Sequence, residues 1–151
     1  MGNALCAVDP AGRLVLPGFV RATLSRRGDP RLIFVGGHGE DPCLVAYDRS
    51  HAARLASDCR RLFDAEDATE RHAHAARSRR LFGFVEQVLL DSRGKLALPP
   101  MMRRRARIEG LALVVGTGGP FEIWNPKTAL EGGDPALSEL AAFHLDCAQA
   151  A

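Results

Sequence analysis

An α+β fold, mainly β, built from two similar halves that pack as a pseudo-dimer within one chain, is predicted by three observations. The first is a repeat. Asp9-Pro10-Ala11-Gly12-Arg13-Leu14-Val15-Leu16-Pro17 returns as Asp91-Ser92-Arg93-Gly94-Lys95-Leu96-Ala97-Leu98-Pro99, with Asp, Gly, two Leu and Pro recurring 82 positions on and a basic residue after each Gly. The second is that the segments around each copy run in the same order: strand, turn, strand, helix, strand, strand, helix. The third is length. The chain has 151 residues, the size of one ordinary domain, and holds only two copies, each too long for a unit of an open solenoid. Half such a chain would bury too little surface to be stable alone, so the halves are expected to share a core.

Each element has its own signal. Residues 5–8 are a short apolar run. Asp9-Pro10-Ala11-Gly12 has type I turn chemistry, with Asp first, Pro second and Gly last. Residues 13–16 alternate polar and apolar, as a half-buried strand does; together these read as a β-hairpin ended by Pro17. Residues 18–25 read as a short helix with Val20 and Leu24 on one face. Residues 32–35 and 44–47 are strands around a Gly-rich loop. Asp48 is a helix N-cap, and Leu55, Cys59 and Leu62 line one face of the helix it opens. Residues 65–80 are polar and helix-compatible and read as the connector.

The second half repeats this order. Residues 89–90, the turn 91–94 and residues 95–98 form the hairpin. Pro99-Pro100 starts a helix with Met102 and Ala106 in the places of Val20 and Leu24. Residues 111–115 and 121–124 are strands. Trp124-Asn125 matches Tyr47-Asp48, with Asn125-Pro126 an Ncap–N1 pair whose helix Gly132-Gly133 stops. Asp134-Pro135 caps a last helix with Leu137, Leu140, Ala141, His144 and Leu145 on one stripe. Boundaries are set at 1–63 for the first half with its closing helix, 64–80 for the connector and 81–151 for the second half with the C-terminal helices.

Charge is distributed more tellingly than its net value of +2. Residues 92–108 carry Arg93, Lys95, Arg103, Arg104, Arg105 and Arg107 and no acid; residues 10–27 carry Arg13, Arg21, Arg26 and Arg27 and no acid. The acids collect elsewhere, at residues 40–41, 64–70 and beyond Glu109. A bipolar surface follows, with both basic clusters at the same place in the repeat. Arg13 and Lys95 follow tight turns and begin strands, a rigid placement that phosphate or base recognition requires. Arg103, Arg104 and Arg105 fan out by about 100° each around a helix, so only one or two are expected to meet a common surface. Asp9, Gly12, Asp91 and Gly94 are assigned to shaping the turns.

Other chemistries find little support. The four cysteines have no CxxC or Cys–His ligand spacing; with the absence of a signal peptide this points to a reducing cytosol. No run approaches a membrane span. His72 and His74 are two apart on a helix and make a poor metal pair, and no metal or other cofactor is called for. The segments 36–39 and 116–119 resemble phosphate loops but lack the Lys-Ser/Thr that a P-loop requires. No nucleophile, base and orienter assemble in the sequence, so an enzyme acting on a small-molecule substrate is not expected.

The D-x-x-G-[RK]-L-x-L-P hairpin followed by a basic short helix resembles the AbrB-like swapped-hairpin fold. Two copies in one chain, with Tyr47-Asp48 and Trp124-Asn125 before the closing helices, resemble the MraZ family. The resemblance implies two AbrB-like β-barrel halves and a transcriptional regulator of the division and cell-wall gene cluster. It also implies a ring-shaped homo-oligomer, with an octamer favoured, that binds direct repeats in double-stranded DNA at the nucleoid. Asp9 and Arg13 match the family's D-x-x-x-R. In the second copy Asp91 matches but Lys95 replaces Arg, keeping the charge and losing the bidentate fork. The family's N-terminal Phe-Arg-Gly is absent. On this reading Arg13 and Lys95 make the hairpin contacts to DNA, supported by Arg93, Arg21 and Arg103–Arg105. These departures leave open an alternative, a ring-forming protein-interaction module that has lost specific DNA binding. An oligomer is also expected on physical grounds, because tandem halves leave strand edges and helix faces, including the 137–145 stripe, that need covering.

Overall fold

The computed structural model describes residues 1–26 and 31–151; Arg27 of the first basic stretch lies outside them. The elements are β1 (Asn3–Ala7), β2 (Arg13–Val15), α1 (Gly18–Arg26), β3 (Leu32–Gly37), β4 (Leu44–Tyr47), α2 (Arg49–Ala65), α3 (Ala68–Arg71), α4 (His74–Ser78), a π-helical turn (Arg79–Gly83), β5 (Val85–Leu89), β6 (Lys95–Ala97), α5 (Pro100–Arg105), β7 (Leu111–Gly116), β8 (Phe121–Trp124), α6 (Pro126–Glu131) and α7 (Pro135–Ala150). The class is α+β with antiparallel sheets.

Six strands form one sheet in the order β1-β7-β8-β4-β3-β5, and β2 pairs with β6 in a separate ladder. Exchanging each strand for its counterpart in the other half, β1 for β5 and so on, reverses this order without changing it. The registers agree. Val45 pairs with Glu122 and Leu14 with Leu96, each residue facing its own repeat counterpart. Strand order and register are thus the same when the two halves are exchanged, as for a pseudo-two-fold axis through the middle of both sheets.

The turns form as expected, but the strands on either side of them do not zip into local hairpins. β1 pairs with β7 and β5 with β3, while β2 pairs with β6; only the single bridge Val8–Leu14 joins the two arms of the first turn. The physical reason is burial. Leu14, Leu16, Leu96 and Leu98 point between the β2–β6 ladder and the large sheet, together with Val20, Leu24, Met102 and Ala106 of α1 and α5. Each buried leucine is worth roughly 1.5–3 kcal/mol, and a flat local hairpin would leave one face of each strand in water. A second cluster joins Cys43, Leu113 and Trp124 of the sheet to Ala129, Leu137 and Ala141 of α6 and α7.

Two helix faces differ from expectation. In α2 Cys59 is buried but Leu62 is exposed, because the chain turns there into the connector, which the Asp67–Glu70 capping box and the Arg77–Glu66 ion pair fold back. The α7 stripe is turned onto its own chain: Leu137 and Ala141 are buried, and His144 Nε2 lies 2.7 Å from Asn3 Oδ1 on β1. Among the described residues, no helix is long and apolar enough to cross a membrane, and no group of three or more His, Cys, Asp or Glu could hold a metal ion.

Candidate nucleic-acid interface

The two turns are built alike. The Asp9 carbonyl accepts the Gly12 N–H and the Asp91 carbonyl the Gly94 N–H. In each, a carboxylate oxygen accepts the backbone N–H four residues on: Arg13 N to Asp9 Oδ1 at 2.9 Å, Lys95 N to Asp91 Oδ1 at 2.9 Å. That bond is the main reason both carboxyls sit below the usual Asp range. Gly12 and Gly94 take φ of +81° and +74°, left-handed values that glycine adopts without strain. The assignment of Asp9, Gly12, Asp91 and Gly94 to turn structure thus has a geometric basis in each copy.

Beyond the turns, period-two alternation sends Leu14 and Leu96 inward and Arg13, Val15, Lys95 and Ala97 outward. Val15 is 45% exposed. Arg13 pairs opposite Ala97 and Lys95 opposite Val15, so the two cations lie at opposite ends of one small ladder, related by the pseudo-axis. Arg13 is held: its Nε donates to Asp9 Oδ2 at 3.0 Å. The charge of Arg13 also reaches Asp91 across the ladder and helps to lower its pKa.

Helices α1 and α5 brace the turns crosswise. Arg103 Nη1 donates to Pro10 O at 3.4 Å and its Nε to Ile108 O at 3.0 Å, and the side chain packs tightly against Gly12, 3.0 Å from where a Cβ would stand. Its counterpart Arg21 lies against Gly94, the turn of the other half. Arg93 is exposed on the second turn, its N–H donating to Asp91 Oδ1 at 2.8 Å. Arg13, Lys95, Arg93, Arg21 and Arg103 therefore gather around the β2–β6 ladder and its two turns. The three consecutive arginines separate. Arg105 lies 5.5 Å over the Phe84 ring and against Gly37, a cation–π contact with the large sheet's margin. Arg104 is exposed, and its guanidinium has no hydrogen bond or ion pair among the described residues.

One cation at this end of the molecule, counted in the second basic cluster of the sequence, was left out of the assigned contacts. Arg107 follows α5 with φ +55°. Ile108 N donates to Arg103 O and Arg107 N to Arg104 O, both at 3.1 Å, the bonding of a Schellman motif in which the left-handed residue is usually Gly. A non-glycine residue there costs about 1–3 kcal/mol. Asn125 Nδ2 donates to Arg107 O at 2.7 Å. The visible signal was a basic residue two positions past the arginine run, where a helix stop would favour Gly.

Thiol chemistry is remote from this surface. Burial pushes the Cys43 thiol far up, with Glu122 and Asp41 adding to it, and burial also raises Cys6.

The chain is similar to the transcriptional regulator MraZ of Heliobacterium modesticaldum, with 30% identity over 126 residues, 83% of this chain and 80% of that protein. It is 29% identical to the transcriptional regulator MraZ of Saccharophagus degradans over 126 residues, 83% of this chain and 82% of that one. With the transcriptional regulator MraZ of Thiobacillus denitrificans it shares 29% over 152 residues, 95% of this chain and 98% of that one. No family model matches.

Proposed function

The chain belongs to the MraZ family of transcriptional regulators, and from that premise we propose that it binds double-stranded DNA through the outer face of the β2–β6 ladder and its two turns. The observation that carries this reading is the pseudo-symmetric pair Arg13 and Lys95, held outward on one rigid ladder by identical Asp-closed turns. A flat, basic, preorganised platform is what phosphate and groove-edge contacts need. Arg93, Arg21 and Arg103 support it, the last two by bracing the turns and adding charge beside them.

The finer reading follows the family. The halves, 1–63 and 81–151, joined by 64–80, are two AbrB-like swapped-hairpin units, a view supported by the reversible strand order. The chain acts in the cytoplasm at the nucleoid, on direct repeats near the division and cell-wall genes. It does so as a ring-shaped homo-oligomer, for which an octamer is favoured. Several basic ladders on one ring face would engage several DNA repeats together, and avidity would make modest single contacts effective.

Gel shifts with DNA from upstream of the chain's own gene test this, with light scattering for the assembly. Retarded, salt-sensitive complexes that the Arg13→Ala, Lys95→Ala double variant no longer forms support the reading. Unchanged affinity in that variant rejects it and favours a ring-forming protein-interaction module.

A further inference from the structure

One concavity lies against α5, whose Arg103 reaches the first turn, and another lies at the second turn, and the two differ. One, of about 610 Å³, is lined by Arg103, Arg104, Arg107, Glu109 and Asn125. The other, of about 390 Å³, is lined by Arg21, Ser25, Arg31 and the turn residues Asp91, Ser92 and Gly94. The counterparts of Arg104 and Arg107 in the first half are Ala22 and Ser25. The first concavity therefore carries three cations against one acid, the second two cations against one acid. Arg103 joins the larger concavity to the DNA platform, because the same side chain lines it and donates to Pro10 O in the first turn.

Two features single out the larger concavity. The guanidinium groups of Arg104 and Arg107 line it with no hydrogen-bond or ion-pair partner among the described residues. Arg107 also sits at a left-handed position, φ +55°, where glycine would remove the strain and the side chain together. Asn125, the cap of α6, fixes that strained backbone through the Arg107 carbonyl. A guanidinium is thus kept at this place against a local conformational preference, beside a second unpaired one.

We infer that the α5 concavity is a second phosphate-binding site, in which Arg104 and Arg107 hold the backbone of duplex DNA seated on the β2–β6 ladder, and that it grips one side of the pseudo-axis only. This rests on the reading that the ladder binds DNA. The site carries no base-reading role. Its consequence is orientation: a ladder with two-fold pseudo-symmetry accepts a duplex either way round, and a grip at one end makes the two ways unequal.

The test is the salt dependence of binding to two short labelled duplexes, one from upstream of the chain's own gene and one of unrelated sequence, measured by fluorescence anisotropy, with thermal unfolding of the same samples. Arg107→Gly should leave Tm unchanged or raise it, by about 2–4 °C for each kcal/mol of strain relieved, while binding weakens. Arg104→Ala with Arg107→Gly should lower the log–log salt slope by about 1.8 if each cation meets one phosphate, and the loss should be alike on both duplexes. An unchanged slope and affinity in the Arg104→Ala, Arg107→Gly variant, with Arg13→Ala still weakening binding, overturns this inference and leaves the ladder reading intact. A loss confined to one duplex overturns the phosphate assignment. A wild-type chain that binds neither duplex overturns both.

Discussion

In the first turn Asp9 takes the Arg13 N–H on one carboxylate oxygen and the Arg13 guanidinium on the other; in the second, Asp91 takes the Lys95 N–H and the Arg93 N–H on a single oxygen. The backbone device is the same and the charge it presents is not. Arg13 is a planar fork fixed by its own turn, while the Lys95 ammonium is tied to nothing among the described residues. The difference teaches how a duplicated fold can diverge. The backbone hydrogen bonds and the glycine φ values, which close the sheet, are common to both halves, whereas the solvent-facing groups vary because they contribute little to folding. A point charge suits a phosphate, and a fixed fork can read a base edge as well.

The largest effects should come from breaking what the two halves share. Leu14 and Leu96 face each other on the axis and are both essentially unexposed. Leu14→Ala and Leu96→Ala should each cost about 2–5 kcal/mol in chemical denaturation, with similar values for the two. A cost confined to one half would show that the shared core is not shared evenly.

Breaking what differs should act on binding and spare the fold. Arg13→Ala should lower DNA affinity severalfold per subunit and more across an assembled ring, by about one log unit per 1.4 kcal/mol lost. Lys95→Ala should mainly reduce the salt slope, by about 0.9. Lys95→Arg sharpens the comparison: if the second turn can hold a fork on Asp91 as the first does, affinity rises. Equal effects of Arg13→Ala and Lys95→Ala on sequence preference, measured with matched and mutated operators, would contradict the division of roles.

Much of this was legible in the sequence, for a physical reason. Turn chemistry and period-two alternation are local, so Asp9–Gly12, Asp91–Gly94 and the inward Leu14 and Leu96 could be read directly. The caps Asp48, Asn125 and Asp134 were legible for the same reason, and each accepts the N–H groups expected of it. Strand partnership is not local. The residues from Leu5 to Leu16 look like one hairpin, yet β1 and β2 find partners more than a hundred and about eighty residues away, because only the exchanged pairing buries both ladder leucines. In the candidate site, charge clustering exposed the arginine run but not its division. Arg103 braces a turn, Arg105 lies on Phe84, and Arg104 stays unpaired; helical geometry predicted the divergence without saying which residue went where. Arg107 was counted in the basic cluster but not assigned a contact, because what sets it apart is its left-handed φ.

A smaller effect separates the two glycines. A Cβ on Gly12 would stand 3.0 Å from Arg103 Nη1 and 3.1 Å from its Cδ, whereas one on Gly94 would meet Arg21 Cδ at 3.6 Å. Both Gly→Ala changes carry left-handed strain of about 1–2 kcal/mol. Gly12→Ala should add displacement of Arg103 from Pro10 and so destabilise more in thermal unfolding. The reverse order would mean that Arg103 moves aside freely and does not brace the turn.

The smallest expected effect is in acid, and it tests whether the ladder couples the two turns. Asp9 and Asp91 are both held below the usual Asp range, first by the backbone N–H four residues on, then by the cations around them. A carboxyl whose folded pKa is lowered stabilises the fold at any pH above its ordinary value; that stability is lost as pH falls from the ordinary value through the folded one. Asp9→Asn and Asp91→Asn should therefore each flatten the acid limb of the stability curve: each variant loses stability at neutral pH, where the carboxylate's contribution is full, and the difference from the parent chain vanishes in acid, where the carboxyl is protonated. Arg13 acts on both carboxyls, directly on Asp9 through the ion pair and across the ladder on Asp91 by charge alone. Arg13→Ala should then raise the pKa of Asp9 clearly and that of Asp91 slightly, read by carboxyl-carbon NMR titration of each residue. Lys95→Ala should raise Asp91, since Lys95 is the larger source of charge there. If Arg13→Ala leaves Asp91 unmoved, the two turns titrate independently, and the charge at one end of the ladder is not felt at the other.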